Sequence, residues 1–130
     1  PVDTVPDVPR EDTVSYGAYV ANALGHCMEC HTPLVKGAPD LSRIGAGGNV
    51  FVKPHGMELV AVAANISPHP EQGIGTWTDE EIKRAITQAT SRDGRPLQPA
   101  MPFYFYKKIS DEDLEAVIAY LRSIPPQAIE

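Results

Sequence analysis

Between Thr32 and Ile74 the chain places a turn residue every few positions: Pro33, Gly37, Pro39, Gly45, Gly47, Gly48, Pro54, Gly56, Pro68, Pro70 and Gly73. Proline fixes φ and removes a donor, and glycine loses the most freedom on folding, so such a stretch buries little by itself. Only Val50-Phe51-Val52 and the run from Leu59 to Ala64 read as extended, with Lys53-Pro54-His55-Gly56 as the turn of a short hairpin between them. A loop of this length is uncommon in a compact domain unless it wraps around something. At 130 residues one domain is the default. A hydrophobic share of 42%, with ten glycines besides, matches a folded globular chain and excludes general disorder.

Helical patterns flank the loop. Asp12 or Thr13 starts a helix whose face reads Val14, Gly17, Ala18, Ala21 and Leu24. That face is small enough for another backbone to approach closely, and the helix delivers Cys27 and His31 at its C-terminal end. A second helix begins at the capping box Thr78-Asp79-Glu80-Glu81 and buries Ile82, Ala85, Ile86 and Ala89. A third begins at Ser110, with Asp111, Glu112 and Asp113 in its positive first turn, and carries Leu114, Val117, Ile118 and Leu121. It stops before Pro125-Pro126. The Pro-rich residues 1–10 read as a tail or linker, and 11–130 as a single domain.

Both cysteines lie in Cys27-Met28-Glu29-Cys30-His31, so no disulfide can join distant segments. Cys-x-x-Cys-His is the pattern of covalent c-type haem attachment. Two thiols on one helical turn can each add to a porphyrin vinyl group, and the next imidazole comes under the ring to bind iron. Zinc competes, but its structural sites take four ligands, usually from two such pairs, and a second pair is missing. His26, His55 and His69 have no helpful spacing. A redox dithiol is the other rival, and it expects a strand–turn–helix setting that the pattern lacks. Haem is favoured because it also gives the loops something to enclose.

The iron then needs a sixth ligand or an open position. Met28 and His26 belong to the attachment turn and lie on the wrong side, which leaves Met57, Met101, His55 and His69. Met101 is preferred, in a Pro99-Ala100-Met101-Pro102 loop that two prolines stiffen; Met57 is second. A neutral thioether opposite His31 raises the reduction potential relative to a second imidazole. With His31 and Met101 both bound, no position is open for substrate, so outer-sphere electron transfer is expected and no catalytic residue is assigned. The acids at Asp79–Glu81 and Asp111–Asp113 read as helix-start charges.

Cys27–His31, the downstream Met101-Pro102 and the C-terminal Ala119-Tyr120-Leu121-Arg122 resemble the class I c-type cytochromes. More narrowly, Ala64-Asn65-Ile66-Ser67-Pro68, Gly73-Ile74-Gly75-Thr76-Trp77-Thr78-Asp79-Glu80 and Pro99 to Phe103 resemble the cytochrome c subunits of bacterial membrane-associated alcohol, gluconate and aldehyde dehydrogenases. The resemblance implies an all-α fold: three to five helices around one covalent haem c, long loops and one short β-hairpin, with the first and last helices crossing near the haem. It implies that the Pro39 carbonyl accepts the N–H of the His31 imidazole. It also implies that the Trp77 indole, with Asn65, bonds a haem propionate; Arg43, Arg92 and Arg95 are weaker candidates.

Seventeen acids against eleven bases give a charge of −6, which argues against binding nucleic acid. No apolar run is long enough to cross a bilayer. The expected function is a monohaem carrier of single electrons between a dehydrogenase or reductase and a downstream cytochrome or oxidase. Docking is expected through Val60-Ala61-Val62 and Met101 to Phe105. The alternative is a tightly bound subunit or domain of a dehydrogenase complex; a five-coordinate haem enzyme or gas sensor is a third reading. The resemblance places such chains in the periplasm, as monomers or as members of a hetero-complex.

Overall fold

The computed structural model describes residues 3–52 and 59–129. Helix α1 (Thr13–Tyr19) begins where the Asp12 carboxylate accepts the Ser15 backbone N–H at 3.1 Å and its hydroxyl at 2.6 Å. It runs into a wider π-type turn, Val20–Leu24, closed by the Gly25 N–H on the Val20 carbonyl at 2.8 Å. The widened turn changes the helical period. Gly17 and Ala21 are buried as the pattern predicts, but Leu24, past the change, is 60% exposed. Val14, in the first turn, is exposed as well.

Helix α2 (Cys27–His31) follows after His26, whose φ of 53° sets the bend. Helix α3 (Asp79–Gln88) carries the predicted capping box, Glu81 N–H to Thr78 Oγ1 and Thr78 N–H to Glu81 Oε2, and ends on Ala89 in the left-handed region. Helix α4 (Phe103–Tyr106) is a single turn, and α5 (Asp111–Ser123) starts on the Ser110 cap. On α5, Leu114, Val117, Ile118 and Leu121 are buried, as predicted, together with Ala116 and Tyr120.

The tightest packing is between α1 and α5. A Cβ at Gly17 would lie 1.8 Å from the Ala116 carbonyl oxygen, so only glycine permits the approach. Beside the crossing the Tyr16 hydroxyl donates to Asp113 at 2.8 Å, and the Arg10 guanidinium lies 4.6 Å from the Tyr16 ring centre and 3.2 Å from Asp113. Val8 packs against the same core, so the end of the Pro-rich tail lies on the domain. Burial pushes the Asp113 carboxyl up, but hydrogen bonds from Tyr16 and Ser110 and the charge of Arg10 outweigh it and hold it below the usual value.

The predicted hairpin is present as β3 (Val50–Val52) paired antiparallel with β4 (Leu59–Val62), in register Val50↔Val62, Phe51↔Ala61 and Val52↔Leu59 with an irregularity after Phe51. Its turn, with His55, lies outside the described residues, and β4 stops at Val62. A second ribbon was not predicted: β1 (Leu34–Val35) pairs with β2 (Ala38–Pro39) across Lys36 and Gly37, both at positive φ. The loop after it folds back onto α2. Gly45 and Gly47 N–H groups bond Thr32 Oγ1 and the His31 carbonyl, and the Asn49 side chain donates to the carbonyls of Cys30 (2.9 Å) and Thr32 (2.7 Å). Arg122 bonds Asp79 and the Trp77 carbonyl, fixing the start of α3 to α5.

Two outcomes follow from this packing. Gly17→Ala is expected to lower the unfolding free energy of the haem-loaded protein by about 2 kcal/mol, the usual scale of overpacking; an unshifted denaturant midpoint would show that α1 and α5 separate freely. Because the folded-state pKa of Asp113 is depressed, its contribution is full above the unfolded-state value and is lost as pH falls through the folded one. Asp113→Asn should therefore cost about 1 kcal/mol at neutral pH, and the difference from wild type should vanish in acid; a pH-independent difference would contradict the assignment.

Candidate functional site

A cavity of about 480 Å³ lies between α2, the loop from Ala63 to Ile74, α3 and the segment Pro96–Tyr106. Cys27, Cys30, His31 and Met101 all line it, along with apolar side chains of α3 and α5 such as Ile82, Val117 and Leu121. A neighbouring space of about 300 Å³ shares Cys27, Met101 and Tyr106 with it. The α-helical attachment turn thus meets a methionine from far along the chain at one apolar opening.

The attachment turn is held from both sides. The loop 45–49 binds its carbonyls, as described above, and the Tyr106 hydroxyl donates to the Gly25 carbonyl at 2.6 Å. Burial pushes the Tyr106 phenol up to about 12, so it stays protonated and remains a donor. Burial likewise pushes the Cys27 thiol up to about 11 and raises Cys30. A reactive dithiol needs the opposite shift, so the redox-dithiol reading loses support. Among the described residues no group of three His, Cys, Asp or Glu side chains comes together as a metal cage, so the zinc reading finds no ligand set there.

The His31 Nδ1–H donates to the Ala64 carbonyl at 2.7 Å. This corrects the expectation for Pro39. That residue lies exposed on β2, opposite Leu34, because the short β1–β2 ribbon turns its segment out to solvent. The consequence for chemistry is unchanged: a proton on Nδ1 leaves Nε2 with a free lone pair, and the bond fixes the ring. Burial lowers the His31 pKa against the opposing effect of that bond, which favours the neutral imidazole a metal needs.

Asn65 lines the cavity, yet its carboxamide serves the fold: Oδ1 accepts Ser67 N–H (2.9 Å) and Oγ–H (2.7 Å), and Nδ2 donates to the Gln127 carbonyl (2.6 Å). Trp77 lines the cavity too, and its indole N–H makes no hydrogen bond among the described residues. Arg95 reaches the lining while paired with Asp93; Arg43 pairs with Asp40, and Arg92 with Glu81 and Thr76. Met28 is buried in the helical core, His26 is exposed and paired with Glu29, and His69 accepts the N–H groups of Glu71 and Gln72 in its own loop. Met28 and His69 do not line the cavity; His26 reaches its lining while paired with Glu29. Met57 lies outside the described residues.

The donor set and the space fit a haem. Two cysteines, a histidine with its Nδ1 already bonded, a methionine and a tryptophan whose indole N–H has no partner among the described residues line one apolar space of ordinary cofactor size. Two participants were not foreseen from sequence. Ala64 acts through its backbone, which leaves no side-chain signal. Tyr106 was visible only as part of the aromatic run after Met101-Pro102.

The chain matches the cytochrome c family model over residues 14–125. It is 40% identical over 104 residues to a nicotinate dehydrogenase subunit of Pseudomonas putida, covering 80% of this chain and 8% of that protein. It is 35% identical over 121 residues to the cytochrome c subunit of the quinone alcohol dehydrogenase of Gluconobacter oxydans, covering 92% and 23%. It is 33% identical over 123 residues to the gluconate 2-dehydrogenase cytochrome c subunit of Pantoea cypripedii, covering 94% and 26%. The chain thus spans about a quarter or less of the length of these relatives. It belongs to the cytochrome c family, and its domain binds haem c covalently, with Cys27 and Cys30 in the attachment spacing.

When bound, the haem supplies a metal that changes charge by one electron; the protein supplies attachment, orientation and exclusion of water. Cys27→Ala or Cys30→Ala alone should leave haem on the chain through one thioether, with the reduced absorption band shifted toward that of a vinyl-bearing haem. The double substitution should show no haem mass on the denatured chain. Retention of haem mass by the double variant would contradict attachment at these positions.

Proposed function

We propose that residues 11–130 form a monohaem electron carrier in which the His31 Nε2 and Met101 Sδ atoms would hold the iron, with residues 1–10 as a tail whose end, at Val8 and Arg10, packs on the domain. The carrier takes one electron from a dehydrogenase or reductase and passes it to another redox protein. The observation that supports this most is that Met101, on a proline-flanked loop remote in sequence, lines the same cavity as Cys27, Cys30 and His31. Iron held by both groups would have no vacancy for a substrate, which favours electron transfer over catalysis at the metal. The chain's contribution is to keep the same ligands in both oxidation states and to hold the porphyrin in an apolar space.

The second reading, a tightly bound domain of a dehydrogenase complex, is supported by the relatives, which carry dehydrogenase names and are matched over a fraction of their length. Both readings use one surface. Leu24 (60% exposed) and Phe105 (69%) border the smaller cavity beside Cys27 and Met101, with Tyr104 exposed next to them. The expected surface at Ala61-Val62 is represented by exposed Val62; the Val60 side chain lies outside the described residues. A transient redox contact needs less than about 1,200 Å² in all. The charge of −6 favours a basic partner and makes association fall with salt. No helix among the described residues is long and apolar enough to cross a membrane. Covalent haem attachment of this kind takes place outside the bacterial cytoplasm, which supports a periplasmic location.

Met101→Ala tests the reading. The wild-type ferric protein should show the weak long-wavelength sulfur-to-iron band, and its ferrous form should not bind carbon monoxide promptly at neutral pH. The variant should lose the band, bind carbon monoxide and have a lower potential. Prompt binding by the wild type would favour an open-site haem enzyme or sensor, and persistence of the band in the variant would move the assignment to Met57.

A further inference from the structure

The Met101 segment packs on the rest of the domain, α4 against α3 and Ile109 against the helical core, but its backbone hydrogen bonds are its own. Its backbone bonds run Met101 N–H to Gln98, Phe103 N–H to Met101, Phe105 N–H to Pro102, Lys107 N–H to Phe103 and Ile109 N–H to Tyr106, all local. Helix α4 is four residues long and has no side-chain cap, so it has little stability of its own. Among the described residues one hydrogen bond leaves 98–109 for another part of the chain: the Tyr106 hydroxyl to the Gly25 carbonyl, at 2.6 Å. Pro99 and Pro102 stiffen the loop internally, so its position depends on what holds it to the neighbouring elements.

The acceptor's position gives this bond its meaning. Gly25 closes the π-type turn through its N–H and stands two residues before Cys27. A Cβ there would come within 3.2 Å of the Cys27 sulfur and 3.3 Å of the Val20 carbonyl, so the turn is already close-packed against the attachment thiol. The Tyr106 ring itself lines both cavities.

The geometry points to Tyr106 as the positioning residue that locks the Met101 loop to the haem-attachment turn, holding the thioether over the iron. This deepens the function proposed above and rests on Met101 being the ligand. A thioether is a weak donor to ferric iron, so the ligated state competes with one in which the segment swings away and an outside ligand enters. The brace biases that equilibrium toward ligation by the amount one net hydrogen bond contributes, roughly fivefold.

The test is titration of the ferric haem-loaded protein with imidazole, followed by the sulfur-to-iron band, for wild type, Tyr106→Phe and Tyr120→Phe. Tyr120 is buried in the α1–α5 crossing, its hydroxyl accepts from Asn22, and it lines neither cavity, so its substitution controls for general loosening. Tyr106→Phe should bind imidazole roughly fivefold more tightly than wild type, while Tyr120→Phe should match wild type. Unshifted affinity in Tyr106→Phe, or an equal shift in Tyr120→Phe, would overturn the brace while the wild-type band still stands. Absence of the band from wild type would overturn the ligation itself and the brace with it. Should Tyr106→Phe not accumulate, the ferrous wild type decides: a slowly exchanging Tyr106 hydroxyl proton near Gly25 supports the brace, and a rapidly exchanging one overturns it.

Discussion

An apolar space of about 480 Å³ bounded largely by loops cannot be kept open by the loops themselves, and everything else in this structure is arranged around that constraint. Left empty, its walls would lose their packing partners and collapse inward. A flat, largely apolar cofactor supplies the missing contacts, and fastening it covalently at Cys27 and Cys30 makes it part of the chain. The helices α1 and α5 can therefore pack backbone to backbone at Gly17 on one side, while the turn-rich half of the sequence encloses the other.

The two proposed ligands have different kinds of support. His31 sits on a helical turn whose carbonyls are gripped by Asn49 and Gly47, with Ala64 fixing the imidazole. Met101 sits on a loop with local backbone bonds and, among the described residues, one outward hydrogen bond. This asymmetry suits a carrier. In the proposed reading the strong ligand would belong to the rigid side, and the weak ligand, whose retention would set the potential and exclude small molecules, would depend on the Tyr106 brace.

Much of this was legible in the sequence because it rests on side-chain type at fixed spacing. The attachment pentapeptide, the capping box at Thr78, the cap at Ser110 and the glycine-alanine face of α1 all have local physical causes, and they appear where expected. The resemblance to dehydrogenase cytochrome c subunits is met by the family match and the relatives. What sequence hid was set by tertiary backbone geometry. The partner of His31 is a carbonyl, which any residue carries, so position alone decides between Pro39 and Ala64. The π-type turn at Val20–Leu24 breaks a period that residue pattern cannot resolve, leaving Leu24 exposed beside the site. Asn65 lines the cavity and also clamps the chain near Gln127, a second role fixed by segments distant in sequence.

X-ray absorption at the iron edge of the purified ferric protein addresses the central claim without any substitution. The account predicts a six-coordinate iron with one sulfur in an otherwise all-nitrogen shell, and the same shell after reduction. A shell without sulfur, or one that loses a ligand on reduction, would contradict it.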